Sequence, residues 1–117
     1  MRTKILVLGL ACLFFIASIN LGPIKIDVVK KGPQGRYSFI KVKITNTSGK
    51  HINRCKLSCI LYKDKKEIDV KTHYVIKSTE GGLKSGKFTF FEYVFSTGYE
   101  EWNKTGFNIE TIDYKKK

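Results

Sequence analysis

Histidine is scarce in this chain, with two residues in 117, and acidic residues are outnumbered, 10 Asp+Glu against 22 Lys+Arg. Each shortage closes a class of function. His51 sits in a turn and His73 on a strand, and no serine or cysteine lies in a recognised nucleophile motif. General acid–base or nucleophilic catalysis therefore has little to draw on, and no catalytic residue is expected. Asp64, Glu67 and Asp69 surround one turn, but Lys63, Lys65 and Lys66 are interleaved with them, which opposes a calcium site. There is no phosphate-binding glycine loop, so neither a metal nor a cofactor is expected. Cysteine appears three times. Cys55 and Cys59 form a C-x3-C spacing, which suits neither a thioredoxin-like motif nor zinc. Beyond Ile5–Ala17 there is no second long apolar run, which argues against a multi-span membrane protein. No internal repeat or low-complexity segment is visible.

The excess of base is what the chain has in place of these. Formal charge is +12 for the whole sequence. Such a surface attracts anionic partners: lipid head groups, envelope polymers, glycans or nucleic acid. The basic residues are nevertheless spread along the chain, which also fits charge that serves solubility. Lys41, Lys43, Arg54, Lys56 and Lys115–Lys117 are the candidate anion contacts.

Met1–Ser18 reads as a secretory signal peptide. Arg2 and Lys4 supply the positive start, Ile5 to Ala17 the apolar run, and Ile16-Ala17-Ser18 a cleavage site. The run is short of the roughly 20 residues that span a bilayer. An uncleaved anchor is the alternative. Residues 19–117 form one expected domain, exported to the periplasm or secreted, and export argues against a nucleic-acid role.

The domain itself reads as strands. In Tyr37–Asn46, Ile40, Val42 and Ile44 share one face and Phe39, Lys41, Lys43 and Thr45 the other. In Arg54–Lys63, Cys55, Leu57, Cys59 and Leu61 alternate with Arg54, Lys56, Ser58, Ile60 and Tyr62. Period-2 alternation marks half-buried strands. Ile24–Val29 and Ile68–Val75 are weaker strands, with His73 expected on a polar face. Lys87–Phe95 is apolar on both faces: Phe88, Phe90, Glu92 and Val94 on one, Thr89, Phe91, Tyr93 and Phe95 on the other. Gly106–Tyr114 is the last strand. Gly32-Pro33-Gln34-Gly35 reads as a loop crossing between sheets.

The run Asn46-Thr47-Ser48-Gly49-Lys50, then Leu57 to Leu61-Tyr62-Lys63-Asp64, then Leu83-Lys84-Ser85-Gly86 ahead of a further strand, resembles the FxLYD-type domain over roughly residues 39–112. Lys63 stands inside the Leu-Tyr-Asp signature, and Ser85 stands where that family often has Pro. The resemblance implies a small immunoglobulin-like β-sandwich of bacterial envelope and secreted proteins, without catalytic residues. The fold class expected is therefore all-β, an immunoglobulin-like antiparallel β-sandwich of about 6–7 strands. The resemblance also implies that Tyr37–Asn46 and Arg54–Lys63 form an arch between sheets. A hairpin pairing Ile44 with Cys55 would set Lys43 opposite Lys56, and like charges directly opposite are unfavourable.

Two side-chain groups complete the expectations. Cys55 and Cys59, four residues apart on a strand, are separated by about 13 Å at strand rise. A disulfide needs Cα atoms within about 7 Å, so the pair reads as two buried thiols. Phe91, Tyr93 and Phe95, with Tyr99 and Trp102 three residues apart in Ser96–Lys104, are candidate contacts for a protein partner; the latter pair equally suits a lid over the core. Asn46-Thr47-Ser48 and Asn103-Lys104-Thr105 fit the N-glycosylation sequon. Three readings of function follow: an exported non-catalytic module that binds a protein partner, a cationic protein on anionic envelope polymers or lipid head groups, and, least supported, an enzyme.

Overall fold

A computed structural model describes residues 17–116 of the chain. The expected leader lies outside the described residues, except for its last two positions, Ala17 and Ser18. Seven strands follow one another: β1 (Ala17–Asn20), β2 (Ile24–Gln34), β3 (Tyr37–Asn46), β4 (Ile52–Lys63), β5 (Lys66–Ile76), β6 (Phe88–Phe95) and β7 (Lys104–Tyr114). Single 3-10 turns at Ser78–Glu80 and Tyr99–Glu101 interrupt the last two crossings. The strands form two antiparallel sheets, β1-β2-β3-β6 and β5-β4-β7. Together they make an antiparallel β-sandwich. Among the described residues no helix is long and apolar enough to cross a membrane.

The alternation of β3 and β4 decides this architecture. Ile40, Val42 and Ile44 on one strand and Cys55, Leu57, Cys59 and Leu61 on the other are all fully buried. The two strands lie in different sheets, so the connection between them is the arch. β2 adds Ile24, Ile26 and Val28 to the core, opposite Asn46, Ile44 and Val42 of β3. β7 packs Phe107, Ile109 and Ile112 against it from the other sheet.

One expectation is corrected, and one strand is given its orientation. Gly32-Pro33-Gln34 is not a crossing loop; it continues β2, which turns back into β3 in the same sheet with Gln34 opposite Tyr37. Gly35 takes φ of 63° in that turn, as the first central position of a type II′ hairpin requires. Pro33 is tolerated because β1 pairs only with Lys25 to Val28, leaving the rest of that edge of β2 without a ladder to supply. The strand given its orientation is β5, with His73 on its polar side as expected. Its register sets Asp69, Lys71 and His73 opposite the inward residues Leu61, Cys59 and Leu57, and Val70, Thr72 and Tyr74 opposite the outward Ile60, Ser58 and Lys56. The polar side of this edge strand thus faces the sandwich mouth, and Ile68, Val70 and Tyr74 are exposed.

The link between the sheets is polar and fully paired. Asn46, buried at the end of β3, donates from Nδ2 to the Leu83 carbonyl (2.8 Å) and the Lys50 carbonyl (2.7 Å). Its Oδ1 accepts from the Ser48 amide and hydroxyl. Gly86 N–H donates to the Asn46 carbonyl, and Ile52 and Leu83 exchange both backbone bonds. The three stretches that carry the family resemblance therefore include two, Asn46–Lys50 and Leu83–Gly86, that are bonded to each other.

Candidate functional site

β6 carries the largest aromatic load, FTFFEYVF, and pairs with β3 without a bulge. Its register puts Tyr93 opposite Ile40 and Phe95 opposite Ser38, both inward. Tyr93 and Phe95 are fully buried, and Phe91 is half-buried. Tyr93 Oη donates to the Leu57 carbonyl across the core at 2.8 Å. Phe91 and Tyr93 meet edge to face, with His73 over both rings at 5.4 and 5.8 Å. These three aromatics, named from the sequence as partner contacts, are instead the inner lining of the sandwich.

Trp102 is also buried. Its indole donates to Ser38 Oγ (3.0 Å), which itself donates to the Thr97 carbonyl. Tyr99 packs on it edge to face at 5.3 Å. This pair is the lid over one end of the core and not an open contact.

The open aromatic surface lies on the opposite side of β6. Phe88, Phe90 and Val94 are 52%, 49% and 40% exposed. They stand beside Phe39, Lys41, Lys43 and Thr45 of β3, with Glu92 opposite Lys41 and Phe90 opposite Lys43. The lysines lie over the rings: Lys43 Nζ is 4.3 Å from the Phe88 centroid, Lys41 Nζ 5.3 Å from Phe90 and Lys30 Nζ 6.0 Å from Phe39. Phe88 and Phe90 touch edge to face. The outer face of the four-stranded sheet is thus a checkerboard of phenylalanine and lysine. Cation–π contact holds the ammonium groups over the rings and leaves both available at the surface. The sequence contained this face as Phe88, Phe90, Glu92 and Val94. What was missing was which side of β6 is covered, because both sides are apolar.

The four candidate anion contacts on β3 and β4 do not converge, whereas Lys115 and Lys116 line a cleft with Lys50 and His51. Lys41 and Lys43 are on the outer face of one sheet; Arg54 and Lys56 are on the outer face of the other. Arg54 is engaged by Asp113, with Nη2 to Oδ2 at 2.7 Å, and Lys56 lies over Tyr74. The centre of that second face is a paired network in which Thr72 donates to Ser58 and Ser58 to Glu110.

Clefts occur at the loops. One of about 600 Å³ is lined by Gly49, Lys50, His51, Lys115 and Lys116, one of about 270 Å³ by Arg54, Tyr74 and Lys77–Thr79, and one of about 300 Å³ by Pro33, Arg36 and Gly98–Glu101 among others. His73 lines none of these three. His51 Nε2 is engaged by the Gly81 carbonyl at 2.8 Å. Among the described residues no group of three or more His, Cys, Asp or Glu is placed to hold a metal ion. Asp64 bonds Asn103 and Asp69 bonds Thr97.

Cys55 and Cys59 are free and buried. Burial pushes the Cys55 thiol up to about 11 and raises Cys59 further. Neither thiol ionises near neutral pH, and thiolate chemistry is closed to both. Comparison of the chain with protein-family models, with curated proteins and with solved structures finds no match in any of the three.

Proposed function

We propose that the protein is an exported, non-catalytic binding module that docks a protein partner on the outer face of its four-stranded sheet. One observation carries this reading. Phe88 and Phe90 are each about half exposed and stand in edge-to-face contact beside exposed Val94 on one sheet face. Exposed aromatic residues gathered on one rigid surface mark interaction sites. Lys41 and Lys43, held over those rings, give the partner's contact region an acidic complement. The FxLYD-type resemblance supports the same class, since that family acts without catalytic residues.

The cationic reading rests on Lys41, Lys43, Arg54, Lys56 and the Lys115–Lys117 tail acting together, and the first four are the ones on strands. Their division between opposite faces favours the partner reading over it.

The test is capture of envelope proteins on the immobilised chain, washed at low and then high salt. A partner retained at high salt is expected, and Phe90→Ala should weaken it by about 2 kcal/mol, the loss of a buried anchor at an interface. Lys56→Ala, on the other face, should leave capture unchanged. Broad binding that washes off with salt and ignores Phe90→Ala would sink the reading and leave charge alone as the determinant.

A further inference from the structure

A sheet edge presents unpaired N–H and C=O groups, and natural sandwiches protect each one. Four strands are edges here: β1 and β6 of one sheet, β5 and β7 of the other. Three carry a protective device. β1 is only four residues long. β5 points Asp69, Lys71 and His73 inward and is interrupted by bulges at Ile68 and Val75. β7 is bulged at Glu110. β6 has none of these. It lacks Pro, Gly and Lys, holds one charge in FTFFEYVF, and pairs with β3 in unbroken register, with β5 of the facing sheet lying near it but not paired to it. Among the described residues no backbone group of Phe88–Phe95 bonds anything beyond β3.

We infer that β6 is a dimerisation edge, occupied by β6 of a second copy of this chain in antiparallel pairing centred on Phe91. The register follows from the side chains. A two-fold axis perpendicular to the sheet keeps outer residues opposite outer residues, so it must pass through a residue position. Centred on Glu92, it would set Glu92 against itself, and like charges directly opposite are unfavourable. Centred on Phe90, it would pair only the first half of the strand. Centred on Phe91, it pairs Phe88 with Val94 and Phe90 with Glu92 of the second copy on the outside, and Thr89 with Tyr93 on the inside.

Charge favours this arrangement. Lys43 and Lys41 neighbour Phe90 and Glu92 within each copy. Across the seam the outer rows become Lys43–Phe90–Glu92–Lys41 and Thr45–Phe88–Val94–Phe39, so Glu92 keeps Lys41 of its own copy, meets no like charge from the second, and Phe88 and Val94 cover one another. Stacking the same face on a second copy would set Lys41 and Lys43 against lysines, which repel. Edge pairing also leaves Phe39, Lys41, Lys43 and Phe90 open on a surface spanning both copies, and it stands whether or not that surface binds a partner.

The test is thiol crosslinking of the full chain in a Cys12→Ser background. Cys55 and Cys59 are buried and do not compete. The double variant F88C/V94C puts the two new thiols opposite each other across the seam, about 5 Å apart at Cβ. A short bismaleimide should convert it to covalent dimer. F88C alone and V94C alone should stay monomeric, because like positions lie about 20 Å apart along the strands in this register. Phe88 and Val94 are exposed, and Trp102 fluorescence reports that each variant is folded. Hydrogen exchange on the unmodified chain gives a second measure: β6 amides should gain protection with rising concentration while β5 and β7 do not. A double variant that stays monomeric, crosslinking by either single variant, or exchange independent of concentration would each overturn the inference.

Discussion

At Asn46 one side chain does the work of a whole turn. Its amide is used twice as donor and its oxygen twice as acceptor, all in a buried position. The sequon that begins there is therefore consumed by the fold, while the one at Asn103 is exposed. Asn46→Ala leaves buried backbone groups unpaired, each at about 1–3 kcal/mol. We expect a total loss of about 3 kcal/mol in urea unfolding followed by Trp102 fluorescence, against about 0.5 kcal/mol or less for an ordinary surface change. A loss at the surface level would mean that the Asn46 bonds contribute nothing. The burial of Cys55 and Cys59 was legible at this scale, because they sit in phase with Leu57 and Leu61. For Trp102 and Tyr99 the sequence left a lid and an open contact equally open, since a polar loop sequence does not reveal that Ser38 lies beneath Trp102.

Among the elements, β6 and β5 resisted reading for different reasons. A strand with apolar residues on both faces, as in β6, has no phase that pattern alone can orient; β5 has one, Ile68, Val70 and Tyr74 against Asp69, Lys71 and His73, and its pairing with β4 turns the apolar side out. β6 was oriented by Ile40 and Ser38 across from it, and β5 by Leu57 to Leu61. The β4–β5 hairpin is legible in part: its turn residues were recognised, though not their strain. Asp64 and Lys65 both take positive φ, 50° and 70°. That is the type I′ turn, which favours Gly at the second position. Holding a non-glycine residue there costs about 1–2 kcal/mol. Lys65→Gly should therefore raise stability by about 1 kcal/mol once glycine's own flexibility is deducted. Thermal unfolding would show it as a gain in Tm, and an unchanged or lower Tm would contradict the account.

For the whole molecule, the core's chemistry sets a limit on pH. Cys55, Cys59 and Tyr93 are all held protonated by burial, Tyr93 also by the neighbouring thiols. The folded chain thus binds these protons more tightly than the unfolded chain. The stability they contribute is complete below the ordinary thiol value of 9.0 and is lost as pH rises through about 11. We expect Tm to fall across that window, and the fall to be shallower in Cys59→Ala than in the parent chain. A parallel decline in both would place the alkaline sensitivity elsewhere. The charge of the molecule belongs to this scale too: Lys41 and Lys43 lie on the outer face of one sheet and Arg54 and Lys56 on that of the other, so these four do not act on one surface.

What the sequence determined by itself was the fold class, the seven-strand count within its expected range, and the inward faces of β3 and β4. These follow from local alternation, which acts over a few residues and needs no partner to be read. Tertiary structure decided which face of β6 is open, that β5 turns its polar side inward, and that Gly32-Pro33 extends a strand. Each depends on which strand lies alongside. Burial is a property of two surfaces meeting, and a single strand's pattern specifies only one of them.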